Sequence, residues 1–191
     1  MPDDRSLPFD WLRVSDQQEA ARLLSFARPQ VLPAKSCLWH AGERPDLLVR
    51  VEQGLLRARV ELADGREYIK EFYWEGDEFV DFHHLLSGEP ARYSVEALEP
   101  CRLQLFRISE LRRLPLWGTW YQHLLEVQLR IKEEKELLLL TAGPEARYRH
   151  FLTHYAPLDA RLPDHQIAAY LGITPISLSR IRRRLKSLNQ G

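Results

Sequence analysis

Five cations fall within seven residues near the carboxyl end of the sequence: Arg180, Arg182, Arg183, Arg184 and Lys186. Guanidinium groups fork onto phosphate oxygens and guanine edges, so the chemistry on offer is recognition of a polyanion. The distribution of charge points the same way. Residues 142–191 carry eight Lys+Arg against three Asp+Glu, whereas residues 1–141 carry nineteen against twenty-four. An acidic body with a basic end directs a polyanionic partner to that end alone.

Other chemistry-bearing residues are scattered. Gly76, Asp77 and Glu78, with Arg92 and Ser94, are candidates for a ligand pocket, because a buried anion needs a cation plus hydrogen-bond donors. Tyr93 separates Arg92 from Ser94, and in a strand that sends one of the pair to the opposite face. His83 and His84, if on a strand, point to opposite sides and do not share a metal. His150 and His154 sit one helical turn apart without a third ligand, and Cys37 and Cys101 cannot supply a four-thiolate site. No metal or cofactor is expected. No paired carboxylates or nucleophile–base constellation is evident, so the chain is not expected to be an enzyme, although a cupin-like metalloenzyme around His83 and His84 is weighed as a rival.

The bulk numbers suit a soluble globular protein. The 191 residues are 45% apolar and 28% charged. The longest purely apolar run, Leu137–Leu140, is far too short for a membrane span. The opening MPDDRSLPFDWLR lacks a basic region followed by an apolar run, so a cytoplasmic location, no membrane partner and reduced thiols are expected.

The elements that position these residues can be read from periodicity. SDQQEAARLLSFA (15–27) predicts a short amphipathic helix. From Val31 to Phe106, runs such as LLVRV, LLRARVEL, YIKEFYW, YSVEAL and CRLQLF alternate as strands do. Glycines at 42, 54, 65, 76 and 88 mark strand-plus-turn units, and Asp64-Gly65 predicts a hairpin. An antiparallel β-roll or jelly roll is expected. Ser109 is a candidate cap for a first turn, and Pro115 and Gly118 are expected to break or kink the helix that follows. An uninterrupted helix then runs over residues 119–141. Tyr121, Leu124, Gln128, Ile131, Lys135 and Leu138 form an imperfect seven-residue seam on it, read as a homodimer contact. Thr141-Ala142-Gly143-Pro144 ends it.

The cations themselves lie in QIAAYLGITPISLSRIRRRL (166–185). Ile167 and Leu171 share one helix face that Asp164 could cap, Ala168 allows close approach, and Gly172 ends the helix in a left-handed conformation. Thr174 caps a second helix and Pro175 takes its first turn. Leu178, Ile181 and Leu185 form the buried stripe, with Ile176, Arg180, Arg183 and Ser187 opposite and Ser177, Ser179 and Arg184 on the flanks. Arg182 lies nearer the buried edge and is expected to reach outward to a phosphate. This is a helix-turn-helix, with Thr174, Ile176, Ser177, Ser179, Arg180, Arg182, Arg183, Arg184 and Lys186 as its expected DNA-contacting residues. Arg180 is placed for a guanine edge, and Ser177 with the free first-turn amides for a phosphate.

The order of these parts, with GREYIKEFYWEGDEFVDF (65–82) and GITPISLSRIRRRL (172–185), resembles the Crp/Fnr superfamily of bacterial transcription regulators. The resemblance implies an α+β chain: a β-roll sensor domain (1–118), a connecting dimerisation helix (119–141) and a helix-turn-helix domain (142–191). It further implies a homodimer on two-fold-related double-stranded DNA that contacts RNA polymerase and changes geometry with an unidentified small-molecule effector, through a hinge near Leu140–Pro144. The sequence departs from the family pattern in several places. Pro175 and Ile176 stand where members often read bases with an arginine and a glutamate, the Arg92 and Ser94 pattern argues against cAMP, and no terminal wing is evident after the second helix. The first rival function is a ligand-binding regulatory module whose basic end contacts RNA or protein.

Overall fold

The computed structural model describes residues 22–188. Eight strands form two four-stranded antiparallel sheets. The strands are β1 (Arg28–Leu32), β2 (Cys37–Trp39), β3 (Leu47–Gln53), β4 (Leu56–Glu61), β5 (Glu67–Tyr73), β6 (Glu78–Val80), β7 (Ser94–Ala97) and β8 (Cys101–Arg107). One sheet runs β1-β8-β3-β6 and the other β2-β7-β4-β5, the jump between sheets at almost every connection being the mark of a roll. The Asp64-Gly65 hairpin joins β4 to β5: Gly65 has φ 81°, and the Leu62 amide donates to the Arg66 carbonyl at 2.9 Å.

Period-two alternation builds two cores from the first sheet. Val49 and Val51 of β3, Leu103 and Leu105 of β8 and Phe79 of β6 point into the space shared with Trp39, Leu56, Ala58 and Val95. Their neighbours Leu48, Phe106 and Val80 point the other way, onto Leu85, Ile108, Leu111 and Trp120. A sheet covered on both faces needs apolar residues on both. Gly54 shows how closely the chain approaches itself: a Cβ there would lie 2.6 Å from the Cys101 sulfur and 2.7 Å from the Pro100 carbonyl oxygen.

Several local expectations are corrected. Residues 82–87 form a helix, α1 (Phe82–Ser87), capped by Asp81, so His83 and His84 are not on a strand. Ser109 lies inside the short helix α2 (Ile108–Leu111) rather than capping it, and its amide donates to the Asp46 carboxylate at 3.0 Å. The long helix α3 (Trp117–Thr141) starts before Gly118 and absorbs it in its first turn. Of the helix expected over 15–27, all but the end lies outside the described residues. Arg22–Leu24 is helical, and Leu23 enters the second core.

The chain divides into two compact units, one comprising the residues up to Glu61 with Lys70–Val127, the other Leu62–Ile69 with the residues from Gln128 onward. The second contains four more helices: α4 (Pro144–His154), α5 (Ala156–Asp159), α6 (Asp164–Leu171) and α7 (Pro175–Leu188). Phe151, Leu158, Ile167, Ala168 and Leu178 are fully buried at their centre. Pro144 opens α4 from the first helical position, where its missing amide hydrogen is not needed.

Candidate nucleic-acid interface

The turn between α6 and α7 is built by three residues. Gly172 is left-handed at φ 65°, and its amide and that of Ile173 both return to the Ala168 carbonyl. Thr174 then caps α7: its Oγ1 accepts the Ser177 amide at 3.1 Å and lies 2.9 Å from the Ser177 hydroxyl. Leu178 and Ile181 anchor the helix at 0% and 3% exposure. Burying each contributes roughly 1.5–3 kcal/mol, which fixes the rotation of α7 about its axis. The face left outward carries Ile176, Ser179, Arg180, Arg183 and Ser187, all exposed, with Arg184 and Lys186 beside them. Ile176 is 66% exposed.

Two roles differ from the sequence reading. Arg182 turns inward. Its Nη2 donates to the Asp159 carboxylate at 2.6 Å, its Nη1 to the Asp164 carboxylate, and its Nε to the Tyr148 hydroxyl at 2.9 Å. The same Tyr148 hydroxyl donates to Asp159 at 2.9 Å, closing a network over α4, α5, α6 and α7. Asp164 therefore serves Arg182, and Pro163 occupies the N-cap of α6. The Ser177 amide is likewise taken by Thr174 and is not open to a phosphate. Arg184 keeps a 60% exposed side chain while standing 3.4 Å from Glu145.

Arg147 is a residue the sequence reading missed. Its guanidinium donates to the carbonyls of Leu139 at 2.7 Å, Ala142 at 2.9 Å and Leu171 at 3.0 Å. A cation there satisfies the orphan carbonyls at the ends of α3 and α6 together. Lys135 adds a second tie, its Nζ lying 4.0 Å from the centre of the Tyr170 ring.

The proposed dimer seam is partly engaged within the chain. Tyr121 and Leu124 pack on the second core, and Lys135 covers Tyr170. Gln128 and Leu138 are half-buried and Ile131 is 38% exposed. Leu129, Leu137 and Leu140 are far more open, at 65%, 62% and 76%. At ~100° per residue they stand on the side of α3 opposite Leu124 and Ile131.

The candidate ligand residues differ in exposure and in their partners. Gly76 and Asp77 form a turn in which the Asp77 carboxylate accepts the Trp74 amide at 3.0 Å. Arg92 is exposed, while the Ser94 hydroxyl accepts the Ala41 amide at 3.0 Å. The Glu78 side chain is 6% exposed and lies 3.6 Å from Arg50; burial outweighs that cation, and Asp77 adds to it, raising the carboxyl to about 8. The roll buries Asp81 at 1% and Tyr93 at 4% exposure, with Trp39 6.4 Å from Tyr93 between ring centres. Burial and the facing Asp81 push the Tyr93 phenol well up. The Tyr93 hydroxyl faces the Asp81 carboxylate, and Trp39 Nε1 has no hydrogen-bond partner among the described residues. This interior holds a carboxylate and aromatic rings, with Lys70 Nζ 4.5 Å from the centre of the Tyr93 ring.

Among the described residues, no group of three or more His, Cys, Asp and Glu could hold a metal. His150 and His154 stack at 4.0 Å, with His154 Nδ1 against the His150 carbonyl. No helix among the described residues is long and apolar enough to cross a membrane.

Residues 29–115 match the cyclic nucleotide-binding domain family. No curated protein sequence matches the chain. Solved structures do. FixK2 from Bradyrhizobium japonicum superposes with a TM-score of 0.71 at 24% identity, covering 85% of this chain and 86% of that one. The c-di-GMP-responsive global regulator CLP of Xanthomonas campestris gives 0.71 at 15% identity, covering 91% and 93%. The catabolite activator protein of Thermus thermophilus gives 0.58 at 24% identity, covering 94% and 87%. Residues 29–115 thus match the cyclic nucleotide-binding domain, and the chain as a whole has the fold of these solved structures.

Proposed function

We propose that this chain is a homodimeric, sequence-specific DNA-binding transcription regulator whose α7 enters the major groove. One observation carries the reading: Leu178 and Ile181 are sealed in the core of their unit, while Ile176, Ser179, Arg180 and Arg183 stand together on the opposite, solvent-facing side of the same helix. Arg180 reads a guanine edge; Arg183, Arg184 and Lys186 neutralise phosphates; Thr174, Ser177 and Ser179 line the entry. Arg182 is a structural residue and not a phosphate contact.

The three-part organisation follows: a β-roll over residues 1–118, a dimerisation helix over 119–141 and a reading head over 142–191. The second copy is assigned to the Leu129–Leu137–Leu140 face, because the chain's own core already covers Tyr121 and Leu124. A dimer bound to two half-sites is also placed to contact RNA polymerase. The effector of the roll is proposed to be a small molecule other than cAMP, because Tyr93 separates Arg92 from Ser94.

The test is binding of the full chain to duplexes selected from a random pool. A two-fold-related consensus is expected, with affinity falling steeply in salt. Arg180→Ala should weaken the selected site by about 1–3 kcal/mol and leave random duplex nearly unchanged. Salt-dependent binding to single strands that equals or exceeds duplex binding would favour a module that contacts RNA, and no binding to either would favour one that contacts protein.

A further inference from the structure

The first turn of α7 presents an apolar group where a polar one would be the ordinary choice. Ile176 is the second residue of the helix, two positions after the Thr174 cap, and is 66% exposed. A single exposed isoleucine on a protein surface needs no explanation. This one lies four residues before Arg180 and seven before Arg183, on the face that the buried Leu178 and Ile181 force outward. Its branched Cβ also limits it to few rotamers, so its position is set by the backbone of a capped turn.

An apolar side chain carried into a major groove meets mostly hydrogen-bonding groups. Guanine N7 and O6, adenine N7 and N6 and cytosine N4 would each lose water without gaining a partner. The C5-methyl of thymine is the exception. From this geometry we infer that Ile176 is a specificity-determining residue that reads the C5-methyl group of one pyrimidine in each half-site. The inference rests on the DNA-binding reading above and deepens it. Four residues of α-helix advance about 6 Å, so the methyl lies within about two base steps of the guanine read by Arg180. Because the recognised group is a methyl on C5 and not the thymine ring as such, 5-methylcytosine satisfies it and cytosine does not.

The experiment uses the full chain and its selected duplex, with each thymine replaced in turn by deoxyuridine, which lacks only that methyl. At one symmetry-related position per half-site, affinity should fall about fourfold for each methyl removed. Cytosine at that position should bind weakly and 5-methylcytosine should restore binding. Ile176→Ala should bind the thymine and uracil duplexes equally, while keeping the salt slope and melting temperature of the parent chain; Ile176→Val should retain part of the discrimination. Tight duplex binding that no uracil substitution weakens, or an Ile176→Ala variant with undiminished discrimination, would overturn this inference alone. Failure of the parent chain to bind any duplex in a salt-dependent way would overturn the DNA-binding reading, and this inference with it.

Discussion

The Nη2 of Arg182 donates to the Asp159 carboxylate at 2.6 Å, so the first of three consecutive arginines is a strut of the domain and not part of its outer surface. The side chains are 23% and 30% exposed, and Asp164 and Tyr148 complete the site. Removing the cation leaves the Asp159 and Asp164 carboxylates without their counter-charge, while Asp159 keeps the Tyr148 hydroxyl. Arg182→Ala should therefore destabilise the helical unit by about 1–3 kcal/mol, the buried-pair penalty reduced for partial exposure. Arg183→Ala should leave stability unchanged and reduce the steepness of the salt dependence of duplex binding by about one released counterion. Thermal denaturation and salt titration of the two variants check this contrast.

The exposed leucines of α3 predict an oligomeric phenotype. Leu137→Asp places a charge in a surface that is 62% open in the single chain, so it should dissociate the dimer without unfolding the monomer. Leu124→Asp, inserted against the second core, should lower the melting temperature instead. Sedimentation and calorimetry on the two variants distinguish these outcomes.

Glu78 predicts a pH dependence. Its folded-state pKa, about 8, lies above the usual carboxyl value, so between about pH 4.5 and 8 the folded chain holds a proton that the unfolded chain has lost. Stability should fall as pH rises through that window and level off above it. A tenfold change in proton affinity is worth ~1.4 kcal/mol, which makes the total loss on the order of 5 kcal/mol. Glu78→Gln should remove most of this slope, as read by chemical denaturation at about pH 5.5 and again just above the folded-state pKa.

Arg147 predicts a loss of local protection. Arg147→Met removes three carbonyl partners at once while keeping an extended apolar stem. Amide exchange in the last turns of α3 and α6 should rise by about tenfold or more, with the roll unaffected. Unchanged exchange at Ala142 and Gly172 would show that the three bonds carry no stability.

Legibility in the sequence follows the range of the interaction. Gly172, Thr174 and Pro175 act within their own turns, and the stripe of Leu178 and Ile181 is a matter of helical period; all are readable. The runs that form β3, β4, β5, β7 and β8 are equally plain, whereas β2 and β6, three residues each, are too short to show alternation. Arg182 defeats a reading by helical period because its partners lie 18 and 23 residues away in sequence and meet it only once the helices are packed. Arg147 escapes for a related reason: it binds main-chain carbonyls, which carry no residue code. The surroundings of the candidate ligand positions are not legible, because β-roll alternation does not reveal that Tyr93, Trp39 and Asp81 are buried together in the roll.

The three carbonyls held by Arg147 change how a signal could travel. A pivot at Leu140–Pro144 would have to open the Leu139, Ala142 and Leu171 contacts together and lift Lys135 from Tyr170. The last turns of the lever and the reading head are in effect welded. Torque applied further up α3 would reach the groove as a rotation of the whole head, so a regulator of this design would be tuned by where its lever is gripped rather than by the slackness of its joint.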